Sequence, residues 1–141
     1  MNAELAPSAN APTPGDERIR VLIVEDDPVV RRLLRLRLHK AGLAVLSVAS
    51  GEEAVALTRE DPQPIHLVIT DGVMPGMDGF DVARYFARTE PPIRVVLVSG
   101  YLNHFVSRTD MPANITAFFG KPFSTNELVA KILDLVGMTA S

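Results

Sequence analysis

Glu25 and Asp26, Asp71, Ser99 and Lys121 are polar residues placed where apolar runs of the sequence end. Their types suit one chemistry. Three acids brought together repel one another unless a cation sits among them. Hard carboxylate oxygens in small number suit Mg²⁺, which keeps several of its waters and bridges readily to phosphate. Asp71 is an oxygen nucleophile able to form an acyl phosphate. Phosphoryl transfer builds charge on the oxygens of the moving group, and the protein must meet that charge with positioned donors and cations. Lys121 can supply an ammonium, Ser99 a hydroxyl and a metal the remainder.

Taken singly, each residue has a plainer reading. An acid after a strand is most often a helix cap or a surface residue, and Asp27 is read that way. A lysine before proline is usually a solvated loop residue, and a lone Ser99 would be a turn residue. The joint placement on four strand ends, in chain order, is what carries the chemical reading.

The elements that must position these residues follow from apolar patterning. Residues 19–24 form a short, almost continuous apolar run, as expected of a strand buried on both faces. Asp27 then reads as an N-cap and Pro28 as the first residue of a helix. Val30, Leu33, Leu34, Leu38 and Ala41 supply its apolar stripe, and Gly42 stops it. Strands are predicted at 44–48, 65–70, 93–98 and 115–119. Helices follow most of them. Ser50 with Glu53, and Ser124 with Glu127, read as capping boxes. The loop with Pro75, Gly76 and Gly79 leads to a helix through about Arg88. Between Tyr101 and Asn114 a helix is needed to connect two parallel strands, but the pattern is weak and Pro112 limits it. Strands alternating with helices imply an α/β, doubly wound parallel sheet with helices on both faces. Right-handed crossovers bring the strand C-termini to one edge, where ligands of such folds bind.

The chain has 141 residues, 47% of them hydrophobic, enough for one domain with a sizeable core. Its net charge of −3 argues against nucleic-acid binding through bulk charge. With no cysteine, thiolate metal sites, disulfides and cysteine nucleophiles are excluded. No run reaches the roughly 20 apolar residues of a membrane helix. The start is rich in Ala and Pro, without the basic end and apolar core of an export signal. The expected organisation is a disordered lead-in over 1–17, a folded domain over 18–137 and a short tail over 138–141.

Four stretches together resemble the receiver domain of two-component response regulators: VLIVEDDP (21–28), LVITDGVMPGMDG (67–79), VVLVSG (95–100) and FFGKPF (118–123). The resemblance implies a flavodoxin-like, five-stranded sheet in the order 2-1-3-4-5. It implies that Asp71 is the phosphoacceptor and that Asp26 ligates Mg²⁺ directly, with Glu25 assisting through water and the backbone carbonyl of Val73 completing the protein ligands. Ser99 is then the switch hydroxyl, Lys121 the partner of the phosphoryl group, and Phe118 the switch aromatic, with Gly100 easing its access. The implied partners are a sensor histidine kinase or phosphotransfer protein, reached through the basic first helix around Arg31, Arg32 and Arg35, and a downstream protein target. No nucleic acid is expected directly, no membrane, and a cytoplasmic location. Such a chain is a signalling domain that assists its own Mg²⁺-dependent phosphorylation and dephosphorylation, rather than an enzyme.

Phe118 lacks the hydroxyl of a tyrosine switch, and Pro112, Ala113 and Asn114 stand where a Gly-Ala pair is usual. Competing readings are a receiver module of a larger regulator or hybrid histidine kinase, an aspartate-based phosphatase and a flavin-binding electron carrier. The phosphatase would want an acid at position 73. The flavin carrier would want a phosphate-cradling first loop, which Glu25, Asp26 and Asp27 would repel.

Overall fold

The computed structural model describes residues 18–138. The expected lead-in over 1–17 and residues 139–141 of the expected tail lie outside the described residues. The elements run β1 (Arg20–Val24), α1 (Pro28–Lys40), β2 (Ala44–Val48), α2 (Gly51–Glu60), β3 (Leu67–Asp71), α3 (Gly79–Phe86), β4 (Arg94–Ser99), α4 (Leu102–Val106), β5 (Ile115–Gly120) and α5 (Thr125–Leu135). The sheet is parallel throughout, in the order β2-β1-β3-β4-β5, as expected.

Strand side chains alternate between the two faces of the sheet. Val21, Ile23, Leu67, Ile69, Val96 and Val98 face Leu34 and Leu38 of α1 and Leu128 and Ile132 of α5. Leu22, Val24, Val68, Val95 and Leu97 face the other way, onto Ala54 of α2, Phe80, Val82 and Phe86 of α3 and Phe105 of α4. Burying each large apolar side chain contributes about 1.5–3 kcal/mol. Phe80 is fully buried, and truncating such a ring to alanine costs about 3–5 kcal/mol.

Helix ends follow local chemistry. Asp27 Oδ1 accepts the N–H groups of Val29 and Val30, and Pro28 opens α1 as predicted. Ser50 and Ser124 cap α2 and α5 through the N–H groups of Glu53 and Glu127. Glu53 departs from the expected box, because its carboxylate takes the N–H of Ala49. The reciprocal box is at α3, between Asp78 and Asp81. Leu33, expected in the buried stripe of α1, is 42% exposed, since Leu34 and Leu38 alone point squarely at the sheet.

The weakly patterned connection after β4 holds a single short helix, the five-residue α4. Asn114 fastens the end of that connection: its Nδ2 donates to the carbonyls of Ala83 and Ile93, both at 2.9 Å. Arg108 and Asp110 pair at 2.6 Å, and Arg84 of α3 reaches Asp110 at 2.9 Å. No described helix is long and apolar enough to cross a membrane.

Candidate phosphoacceptor site

Glu25 directly follows β1, and Asp71 and Ser99 are the last residues of β3 and β4, while Lys121 directly follows β5. Neighbouring parallel strands in register therefore deliver them to one edge of the sheet. β2, at the sheet margin, gives no side chain to the group, but Val48 O at its end accepts the N–H of Glu25 at 3.1 Å.

Ligand oxygens of Glu25, Asp26 and Asp71 lie within 4.8 Å of one another. Glu25 and Asp71 are buried, at 2% and 7% exposure, and Asp26 is open to solvent. Lys121 Nζ sits between the two buried acids, 2.9 Å from Glu25 Oε1 and 3.1 Å from Asp71 Oδ2. The second Glu25 oxygen accepts the N–H of Asp27 at 3.1 Å. Arg31, one turn into α1, donates to the carbonyl of Glu25 at 2.8 Å and so fixes the loop that carries the acids.

Burial dominates the electrostatics. It pushes the Glu25 carboxyl up to about 7, with the Lys121 ammonium opposing it. Burial likewise raises Asp71, again against Lys121. Burial disfavours the Lys121 charge too, but its hydrogen bonds to Glu25 and Asp71 outweigh that and hold the ammonium above its usual range. Three acids thus face one lysine. Clustered hard oxygens, short of positive charge and with one acid open to solvent, fit a hard divalent cation held by Glu25, Asp26 and Asp71.

Ser99 is fully buried and its Oγ accepts the N–H of Tyr101 at 2.9 Å. Its carbonyl accepts the N–H of Lys121 at 2.9 Å, so the ends of β4 and β5 are tied together at the site. Val73 lies in the loop after Asp71 with its side chain half exposed. Phe118 is not at this edge. It lies on β5 opposite Leu97 and packs, partly buried, on the cluster shared with α3 and α4. A Cβ added to Gly100 would meet nothing within 4 Å, so the space beside that residue is open.

The model for response regulator receiver domains matches residues 21–133. The chain belongs to this family. The receiver is 33% identical over 113 residues to the response regulator receiver protein CpdR of Brucella abortus, covering 80% of this chain and 92% of CpdR. It is 35% identical over 117 residues to the sensor kinase CckA of the same organism, covering 82% of this chain and 12% of the kinase. It spans 47–49% of three other relatives. Among solved structures it is similar to the response regulator protein TrrA of Thermotoga maritima, crystallised with Mg²⁺-BeF, at a TM-score of 0.70 and 29% identity, covering 83% of this chain and 98% of TrrA.

Sequence reasoning missed the Glu25–Lys121 ion pair and the contact of Phe105 with the residue after Asp71. The first carries part of its signal in the sequence, because both residues follow strands whose C-termini share one edge of the sheet. The second carries none, since nothing in the 101–114 pattern singles out Phe105.

Proposed function

We propose that Asp71 of this receiver, within a domain over residues 18–137, accepts a phosphoryl group from a histidine kinase or phosphotransfer protein. The observation that carries the proposal is the Lys121 ammonium 3.1 Å from Asp71 Oδ2, in the crevice shared with Glu25 and Asp26. A carboxylate oxygen of Asp71 attacks the phosphorus of a phosphohistidine. The new O–P bond forms as the P–N bond breaks, and the electron pair leaves with the imidazole. Lys121 pairs with one phosphoryl oxygen, and the Ser99 hydroxyl donates to another.

Glu25, Asp26 and Asp71, with the carbonyl of Val73, are the residues that would hold Mg²⁺. When bound, the ion neutralises charge on the phosphoryl oxygens. Its identity as magnesium is supported by the oxygen-only donor set and by the Mg²⁺-BeF complex of the related TrrA. The receiver would assist both its own phosphorylation and its dephosphorylation, and would act on a downstream protein. A cytoplasmic location goes with a histidine kinase as donor.

The test is intact-mass analysis after incubation with Mg²⁺ and a small acyl phosphate. The parent chain should gain one phosphoryl group and Asp71→Asn none; full labelling of Asp71→Asn sinks the assignment. A second reading, a receiver module of a larger regulator or hybrid kinase, is favoured by the match to a short part of CckA. Gel filtration of the native gene product separates the two, since a larger native chain refutes the stand-alone form.

A further inference from the structure

Two side chains converge on the space that a side chain of Gly72 would fill. A Cβ built on Gly72 would lie 2.6 Å from Phe105 Cε2 and 2.9 Å from both Cβ and Oγ of Ser99. Side-chain carbons do not sit that close to other heavy atoms, so Phe105 and Ser99 jointly hold that volume, beside the residue that follows Asp71. Phe105 is the buried residue of α4, at 2% exposure. Its ring lies on Phe80, with centroids 5.1 Å apart, and the Arg108 guanidinium lies 4.4 Å from the Phe80 centroid. The start of α4 is held through the bond from Tyr101 N–H to Ser99 Oγ.

We propose that Phe105 is the side chain through which a change at Asp71 reaches α4, and that a glycine at position 72 is what admits it. The proposal rests on the reading of Asp71 as phosphoacceptor. Ser99 and Phe105 both lie against the Gly72 position. A Ser99 hydroxyl drawn to a phosphoryl oxygen leaves its place beside the ring. Interiors are close-packed, and a gap beside a ring forfeits its contacts there. Phe105 must then follow or reseat. α4 is a single short helix with Phe105 as its buried anchor, so the whole segment moves with the ring. Phe118, the aromatic that the family resemblance points to, sits on β5, with β4 between it and the end of β3. It can respond to the move of α4, whereas the three atoms nearest the Gly72 position belong to Phe105 and Ser99.

The experiment is amide hydrogen exchange over residues 100–110 of the full chain, with and without Mg²⁺ and a small acyl phosphate, and with labelling scored by intact mass. Gly72→Ala puts a methyl into the shared volume and should displace the ring without phosphate. Exchange there should rise about tenfold over the parent, and phosphorylation should add little. Gly72→Ala with Phe105→Ala should return the phosphate-free exchange to that of Phe105→Ala alone, because the overlap is gone. Phe105→Ala should take up the phosphoryl group while the segment fails to respond. Phe105→Leu, which keeps an apolar anchor, serves where the alanine variant does not fold and should respond weakly. Parent-like exchange in Gly72→Ala, or a parent-like response in a labelled Phe105 variant, overturns the proposal. A parent that gains no phosphoryl mass overturns the acceptor reading itself, and this proposal with it.

Discussion

Lys121 Nζ lies 3.1 Å from Asp71 Oδ2, joining the loop after β5 to the end of β3 across the intervening strand β4. The same ammonium meets Glu25, so it pairs with two of the three clustered acids. In the proposed transfer it would stand where phosphoryl charge develops. Lys121→Ala should keep the fold, because the change lies outside both apolar clusters. Labelling by a small acyl phosphate should slow at least about tenfold, the lower end of what losing one positioned charge stabiliser costs. Timed intact-mass measurements check this. Parent-like labelling, with a parent-like exchange response, would make Lys121 a loop residue only.

Asp26 is the exposed member of the acid cluster and the one that the resemblance makes a direct metal ligand. Asp26→Ala should weaken Mg²⁺ binding by about tenfold or more. Thermal unfolding reads this directly. A ligand bound only by the folded state stabilises it by mass action, about 2.7 kcal/mol at a hundredfold excess over Kd. Mg²⁺ should raise the Tm of the parent, chelation should reverse the rise, and the variant should need higher Mg²⁺ for the same shift. Equal midpoints in both proteins would contradict the site.

The strands and the site edge were legible because buried parallel strands leave a trace, an apolar run ending in a polar residue, whereas the order of the strands came only with the family resemblance. Asp27 and Pro28 were legible for a local reason, since a cap needs only its own turn. What escaped depends on tertiary partners. The extent of α4 was hidden because one buried ring and the Arg108–Asp110 pair hold that segment, rather than any periodicity. Asn114 stands where the resemblance leads one to expect a small residue, and its two bonds to carbonyls of separate elements have no signature in the sequence. Leu33 reads as a core residue by spacing, but α1 turns it toward solvent at 42% exposure, as it does Leu36 at 49%.

Those exposed residues bear on the donor. With Val29 at 74% exposure, they give α1 an open apolar strip beside Arg32 and Arg35. Such a strip ringed by cations suits an acidic helical partner. Arg31 is the wrong residue for the test, because it holds the Glu25 carbonyl, and Arg37 is tied to Asn126 of α5. Arg32→Glu with Arg35→Glu should slow transfer from the cognate donor about tenfold at low salt, less at high salt, and spare labelling by a small acyl phosphate. Equal slowing of both reactions would indicate damage to the acceptor site instead.

The phosphorylated receiver should be long-lived for its family. An acyl phosphate is lost when water attacks in line with the aspartyl oxygen. By the family resemblance, the residues two after the acceptor and two after the switch hydroxyl flank that path, here Val73 and Tyr101. They are 47% and 66% exposed, so the Tyr101 ring stands largely in solvent and covers little of Asp71. The expected lifetime therefore rests on chemistry rather than on cover: neither residue carries an acid or amide to orient the water. Positioning of the attacking water is a lever worth orders of magnitude in such reactions. Val73→Asn with Tyr101→Glu should speed decay by about tenfold, followed by intact mass after removal of the phosphodonor, with no phosphatase present. The Tyr101 N–H to Ser99 Oγ bond is made by the backbone, so the exchange leaves it in place. An unchanged or slower decay would show that water reaches the phosphoryl group by a path these two residues do not flank.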